Sequence, residues 1–152
     1  MKVFFTDLIR SGGLIREKAI GWDQVEKYLK RAKKDLISAR LILAKDAPVA
    51  MDLVYKSMFH SANALIRSLG LRPGRISQHK AVIAACERIL GREGKIFILR
   101  FNKLRQKRNY FEYGAGFLSS KEEIKNSLIE AEKFIHLIEV FLKNTNPQKQ
   151  LF

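Results

Sequence analysis

Apolar residues recur in alternating steps of three and four through Trp22, Val25, Leu29, Ala32, Leu36, Ala39 and Leu43, which predicts one helix over residues 23–44. Asp23, followed three residues later by Glu26, has the form of a capping box at its start. Pro48 marks the next break and suits a first helical turn. A second stripe then runs through Met51, Val54, Met58, Ala62, Leu65 and Leu69, widened by Tyr55, Phe59 and Ile66, and Gly70 supplies the stop. Arg72-Pro73-Gly74-Arg75 reads as a loop, and Ser77 is placed to cap a shorter helix ending near Leu90, after which Gly91 and Gly94 punctuate the chain. A fourth helix is predicted over residues 95–113, with Phe97, Phe101, Leu104 and Phe111 among its apolar positions and Gly114-Ala115-Gly116 as its end. Ser120 with Glu123 repeats the capping-box form and opens a last helix, whose stripe is Ile124, Leu128, Ala131, Ile135, Ile138 and Leu142.

Strand-like alternation is absent, so four long helices and one short one can bury their stripes only against one another. The fold class expected is all-α, an antiparallel up-and-down helical bundle over residues 22–143. Residues 1–21 read as an N-terminal extension of short turns or a mobile end, and 144–152 as a C-terminal tail. A chain of 152 residues suits one domain with one core, and an apolar fraction of 47% argues against disorder outside its ends. The single cysteine, Cys86, provides neither a disulfide framework nor a zinc-type spacing. No run approaches the ~20 apolar residues of a membrane span, so a cytoplasmic protein without membrane insertion is expected.

Charge changes the picture. Lys and Arg number 29 against 15 Asp and Glu, a formal +14 that favours polyanionic partners or serves solubility alone. The excess is central: between Arg67 and Arg108 there are twelve Lys and Arg and only two Glu. The last helix is close to neutral and reads as a solvated scaffold.

The run Arg105-Gln106-Lys107-Arg108-Asn109-Tyr110-Phe111-Glu112-Tyr113 concentrates the residue types that bind phosphate and stack bases. Arg105, Arg108 and Glu112 share one face, and Asn109 and Tyr113 an adjacent one. The same run also fits a charged surface stripe beside core aromatics. No Gly-rich phosphate loop is present, because Gly91-Arg92-Glu93-Gly94 lacks the flanking strand and the Lys-Ser/Thr such a loop needs. Neither a cofactor nor a metal site is expected.

Tyr55 to Leu65, then Gly70, then His79-Lys80-Ala81-Val82-Ile83, and Leu104 to Gly114 resemble successive segments of the HEPN family, and Ala32-Lys33-Lys34-Asp35-Leu36 has the look of that family's opening helix. The similarity covers roughly residues 22–141. It implies an up-and-down bundle that pairs as a homodimer, is often encoded beside a minimal nucleotidyltransferase as a toxin-antitoxin couple, and in many members is a metal-independent ribonuclease. The family's signature is an Arg followed after four to six residues by His. Arg108-Asn109 matches its first part, but Tyr113 stands where the His would be. An imidazole with a pKa of about 6.5 suits proton transfer near neutrality, whereas a phenol near 10 does not. On this resemblance Arg108, Asn109 and Tyr113 take the catalytic positions, and Arg105, Lys107, Arg67, His60 and His79 are candidate RNA contacts. His60 could supply the missing imidazole or serve as a structural hydrogen-bonding residue, His79 fits a capping or packing role equally well, and His136, on the last helix, is the least involved. The function expected is that of an RNA-associated protein, toxin-like and ribonucleolytic. The alternative is a non-catalytic adaptor for a minimal nucleotidyltransferase or its nucleotide.

Overall fold

A computed structural model describes residues 4–113 and 119–145, with side chains up to Tyr110 in the first span. The order of elements is α1 (Thr6–Arg10), β1 (Leu14–Arg16), α2 (Trp22–Ile42), α3 (Ala47–Ser68), β2 (Leu71–Pro73), α4 (Gln78–Leu90), a 3-10 turn (Gly91–Gly94), α5 (Lys95–Tyr113) and α6 (Lys121–Thr145). The fold is an all-α bundle of four long helices and one shorter one, as the apolar stripes require. No helix among the described residues is long and apolar enough to cross a membrane.

Helix α3 is the centre. Its buried residues include Met51, Val54, Tyr55, Met58, Ala62, Leu65 and Ile66, so it is apolar around most of its circumference and must be enclosed. Helix α2 packs along it with Val25, Leu29, Ala32, Leu36 and Ala39, and α6 closes the bundle with Ile124, Leu128, Ala131, Phe134, Ile135, Ile138 and Leu142. Four of the buried polar side chains are satisfied within their own helices. Ser57 Oγ donates to the Val54 carbonyl, Ser61 Oγ to that of Met58, Ser127 Oγ to that of Glu123, and Asn63 Nδ2 to that of Phe59.

The helix starts differ in part from expectation. Helix α2 begins one residue early on Gly21, whose missing side chain makes no cap bond, and Glu26 instead accepts from Trp22 Nε1 at 2.6 Å. Asp46 caps α3 through Val49 N–H, with Pro48 in the first turn. Ser77 makes no cap bond either, because it sits in the left-handed region at φ 48°. Ser120 does accept from Glu123 N–H at 3.1 Å, but the Glu123 carboxylate is drawn away to Lys107 and Lys103.

The segment before α2 is built into the core rather than loose. Phe5 and Leu14 are buried, and β1 pairs antiparallel with β2, Leu14 opposite Pro73 and Arg16 opposite Leu71. Three-residue strands are too short to show a period of two, so periodicity could not reveal them. Gly70, at φ +81°, turns the chain from α3 into β2, and Glu17 N–H then donates to its carbonyl at 2.9 Å.

Candidate functional site

Three helices and the start of a fourth bring chemistry to one cavity of about 430 Å³, lined by Arg31 and Asp35 from α2, Leu53, Tyr55, Lys56, Phe59 and His60 from α3, His79 from α4 and Arg108 from α5. Helical spacing explains the set: Arg31 with Asp35, and Lys56 with His60, are four apart and share a face.

Arg108 is fixed from two sides. Its Nε donates to Asp52 Oδ1 at 2.8 Å, and its guanidinium carbon lies 5.5 Å from the centroid of the Tyr55 ring. Lys56 takes the other Asp52 oxygen at 2.8 Å. Partial burial pushes the Asp52 carboxyl up, but the hydrogen bonds from Lys56 and Arg108 outweigh it and hold the pKa below its ordinary value. Aromatic rings form a wall: Phe59 lies 4.6 Å from the His79 ring, and Tyr55 5.5 Å from Phe101 in the core. The Tyr55 hydroxyl meets His79 Nδ1 at 2.7 Å, and burial raises its pKa strongly, so the phenol keeps its proton.

On the cavity's α2 side Asp35, only 1% exposed, accepts from Arg31 Nε and Nη2 at 3.1 and 2.8 Å on one oxygen and meets His60 Nδ1 at 2.7 Å on the other. A neighbouring recess of about 310 Å³ is lined by Arg75, Ser77, Gln78, His79, Lys80, Arg105 and Asn109. Its Arg105 Nε is buried without a hydrogen-bond partner among the described residues, and His79 belongs to both spaces.

The residues singled out in the sequence thus divide. Arg108, His60 and His79 converge in the first cavity, and Arg105 and Asn109 line the second. Lys107 faces the other way and is engaged by Ser119 Oγ at 3.0 Å and by the Glu123 carboxylate. Arg67 is held by Asn63 Oδ1 at 3.0 Å and Glu17 Oε1 at 3.3 Å, and lines neither space. The side chain of Tyr113 lies outside the described residues, as does the predicted stop at Gly114-Ala115-Gly116. Arg31, Asp35, Asp52 and Lys56 were not singled out as site residues. Their signals were the i,i+4 pairs Arg31/Asp35 and Asp52/Lys56, and an acidic residue, Asp35, beside Leu36 on the apolar stripe of α2.

A larger groove of about 610 Å³ between α2 and α6 contains Leu36, Ile37, Ile129, Ile135 and His136. Its charges are paired across the two helices, Lys33 with Glu139 at 2.7 Å and Arg40 with Glu132 at 2.8 Å. The smaller cavity is the one that holds two imidazoles together with Arg31, Lys56 and Arg108.

The paired carboxylates make stability depend on acid. Glu123 is held below its ordinary pKa by the hydrogen bond from Lys107 against the effect of burial, with Lys103 assisting, and Asp52 is lowered as described. A lowered folded pKa means stability that is present above the unfolded value near 4 and is lost as pH falls through the folded value. Denaturant midpoints measured from about pH 6 down to about pH 3 should fall, each partly exposed pair contributing under about 1 kcal/mol. Asp52→Asn should flatten part of that fall; an unchanged pH slope would show that these pairs are equally strong in the unfolded chain.

The fold is thus a helical bundle with a basic fifth helix facing a cavity on its central helix. The chain belongs to the HEPN domain family, whose model matches residues 25–141, a span that includes every residue lining the cavity. It is also 27% identical over 124 residues to a protein of Thermotoga maritima described as UPF0332 protein, the match covering 79% of this chain and 92% of that protein.

Proposed function

We propose that this protein is an RNA-associated HEPN domain that cleaves RNA without a metal, as the toxin-like half of a toxin-antitoxin pair, and acts as a cytoplasmic homodimer. The observation that carries this reading is the convergence of Arg31, Lys56, Arg108 and two imidazoles on one aromatic-walled cavity. A phosphodiester needs cations that hold its charge and strengthen their hold as charge develops on the phosphoryl oxygens, and a guanidinium held in place by Asp52 meets that need. Rings beside it suit bases, which stack on aromatic faces whatever their sequence. The second recess, with Arg75, Lys80 and Arg105, gives the adjoining phosphates a place to lie.

The test is incubation of wild-type and Arg108→Ala protein with a mixed RNA pool in EDTA, reading cleavage and retention separately. The wild type should cleave and Arg108→Ala should lose about 10²–10³-fold in rate. Intact RNA with both proteins overturns the ribonuclease reading.

A second reading has its own observation. Tyr113 replaces the motif His, and Tyr110, at the same helix end, is 45% exposed, which suits an adaptor whose tyrosine a minimal nucleotidyltransferase modifies. Co-purification of such a protein, with a nucleotidyl mass added to Tyr110 or Tyr113, supports it.

A further inference from the structure

We infer that His60 is the proton-transferring residue of this site and that the buried Asp35 positions it, so that an imidazole from the central helix does what the missing motif His would do. The inference rests on the ribonuclease reading and assigns its acid-base residue.

The geometry begins with Asp35. A carboxylate only 1% exposed costs several kcal/mol in lost hydration unless its oxygens are engaged. Both are: Arg31 donates twice to Oδ1, at 3.1 and 2.8 Å, and His60 Nδ1 lies 2.7 Å from Oδ2. An ionised carboxylate has no hydrogen to give, so His60 Nδ1 must be the donor in this contact. That selects the tautomer. The neutral ring then carries its lone pair on Nε2, and among the described residues no hydrogen bond occupies that atom. His60 is 30% exposed and lines the cavity that Arg108, Lys56 and Arg31 also line. A carboxylate behind one ring nitrogen and a substrate space before the other is how a protein aims an imidazole and stabilises the imidazolium that forms.

His79 shares the cavity, and its Nδ1 meets the neutral Tyr55 hydroxyl at 2.7 Å. Cys86 is fully buried and away from the cavity lining. His60 is the imidazole whose Nδ1 meets a buried carboxylate.

The step is transesterification within the RNA. His60 Nε2 takes the proton of a ribose 2′-hydroxyl, the 2′-oxygen bonds to the adjacent phosphorus, and the P–O5′ bond breaks. The 5′-oxygen leaves with a proton taken from water, and the imidazolium later returns its proton to solvent. The products are a 2′,3′-cyclic phosphate and a 5′-hydroxyl, with no oxidant, metal or further reactant consumed. Arg108 holds the phosphoryl group through this exchange.

The experiment compares wild type, His60→Ala, Asp35→Asn and Arg108→Ala on one mixed-sequence RNA oligonucleotide in EDTA, with and without free imidazole. Circular dichroism confirms the fold of each. His60→Ala should lose about 10²–10⁴-fold in cleavage while retaining RNA as wild type does, and free imidazole should restore part of the rate. Asp35→Asn should lower kcat at unchanged KM, because it misplaces a proton acceptor without touching the RNA. If His60→Ala fails to fold, His60→Gln, which keeps a donor for Asp35, gives the same comparison of rate against retention. Cleavage by His60→Ala at the wild-type rate, with Arg108→Ala inactive, overturns this inference and leaves the ribonuclease reading standing. Loss of cleavage and retention together, without rescue by imidazole, shows His60 to be structural and also overturns it. Intact RNA with the wild type removes both.

Discussion

Phe101→Ala should lower the unfolding free energy by about 3–5 kcal/mol, the range for emptying a fully buried aromatic site, and move the melting temperature down by roughly 10 °C for a chain of this length. Phe101 is 0% exposed and stands between two other rings, 5.5 Å from Tyr55 on α3 and 5.7 Å from Phe134 on α6. It is therefore the point at which α5, the helix of Arg108, is joined to both the central helix and the closing one. Alanine removes the partner from both ring contacts, each worth about 0.5–1.5 kcal/mol beyond burial, and the backbones of three helices cannot all collapse into the space. The effect should reach the cavity, because Tyr55 is held between Phe101 and the Arg108 guanidinium. Thermal melts followed by circular dichroism measure it, with Leu99→Ala as the control. Leu99 is on the same helix but 63% exposed, and truncating it should cost little. Equal shifts for the two variants would mean that α5 is held mainly by its ion pairs with α6 and not by this ring cluster.

That contrast also shows where a linear pattern stops being informative. The stripes of α2 and α6 were readable because each apolar residue has polar neighbours, and Val25, Leu29, Ala32, Leu36 and Ala39 on one, with Ile124, Leu128, Ala131, Ile135, Ile138 and Leu142 on the other, are all buried. Helix α5 opens instead with Ile96-Phe97-Ile98-Leu99, four apolar residues in succession, and periodicity cannot choose among them. The structure buries Ile98 at 2% exposed and leaves Ile96 and Leu99 largely in solvent.

The site divides in the same way. Arg108 and His60 stand out by residue type, and a local reading reaches them. What each cation does depends on its partner, and the partners lie far along the chain: Asp52 for Arg108, Glu123 for Lys107, Glu17 for Arg67. Lys107 and Arg108 are adjacent in sequence and about 100° apart around the helix, which sends one to Glu123 on α6 and the other to the cavity. The role of Asp35 becomes visible only when α2 lies against α3, since Asp35 and His60 are 25 residues apart.

Gly74→Ala should destabilise the protein by about 2–4 kcal/mol, the scale of several lost hydrogen bonds with their packing, and should release the segment before α2. A Cβ at position 74 would stand 2.1 Å from the carbonyl oxygen of Gly12, a backbone atom with no rotamer by which to move away. Relief requires the two backbones to separate. That breaks the bond from Gly74 N–H to the Gly13 carbonyl at 2.8 Å, and the one from Ile76 N–H to the Gly12 carbonyl at 3.2 Å goes with it. These bonds continue the ladder of β1 and β2, which holds Leu14 at 1% exposed, and Phe5 is packed into the same core. The stretch after Gly74 carries Arg75, Lys80 and the His79 that spans both cavities, so the same separation loosens the recess proposed for the adjoining phosphates. Amide hydrogen exchange should show early loss of protection at Leu14–Arg16 while α2, α3 and α6 remain protected. Gly21→Ala is the comparison, since an added Cβ there meets nothing within 4 Å and the change costs only what a poorer helix start costs, about 0.5–1 kcal/mol. If Gly74→Ala proves no worse than Gly21→Ala, the N-terminal segment is held by Phe5 and Leu14 alone, and the ladder contributes nothing to the placement of His79.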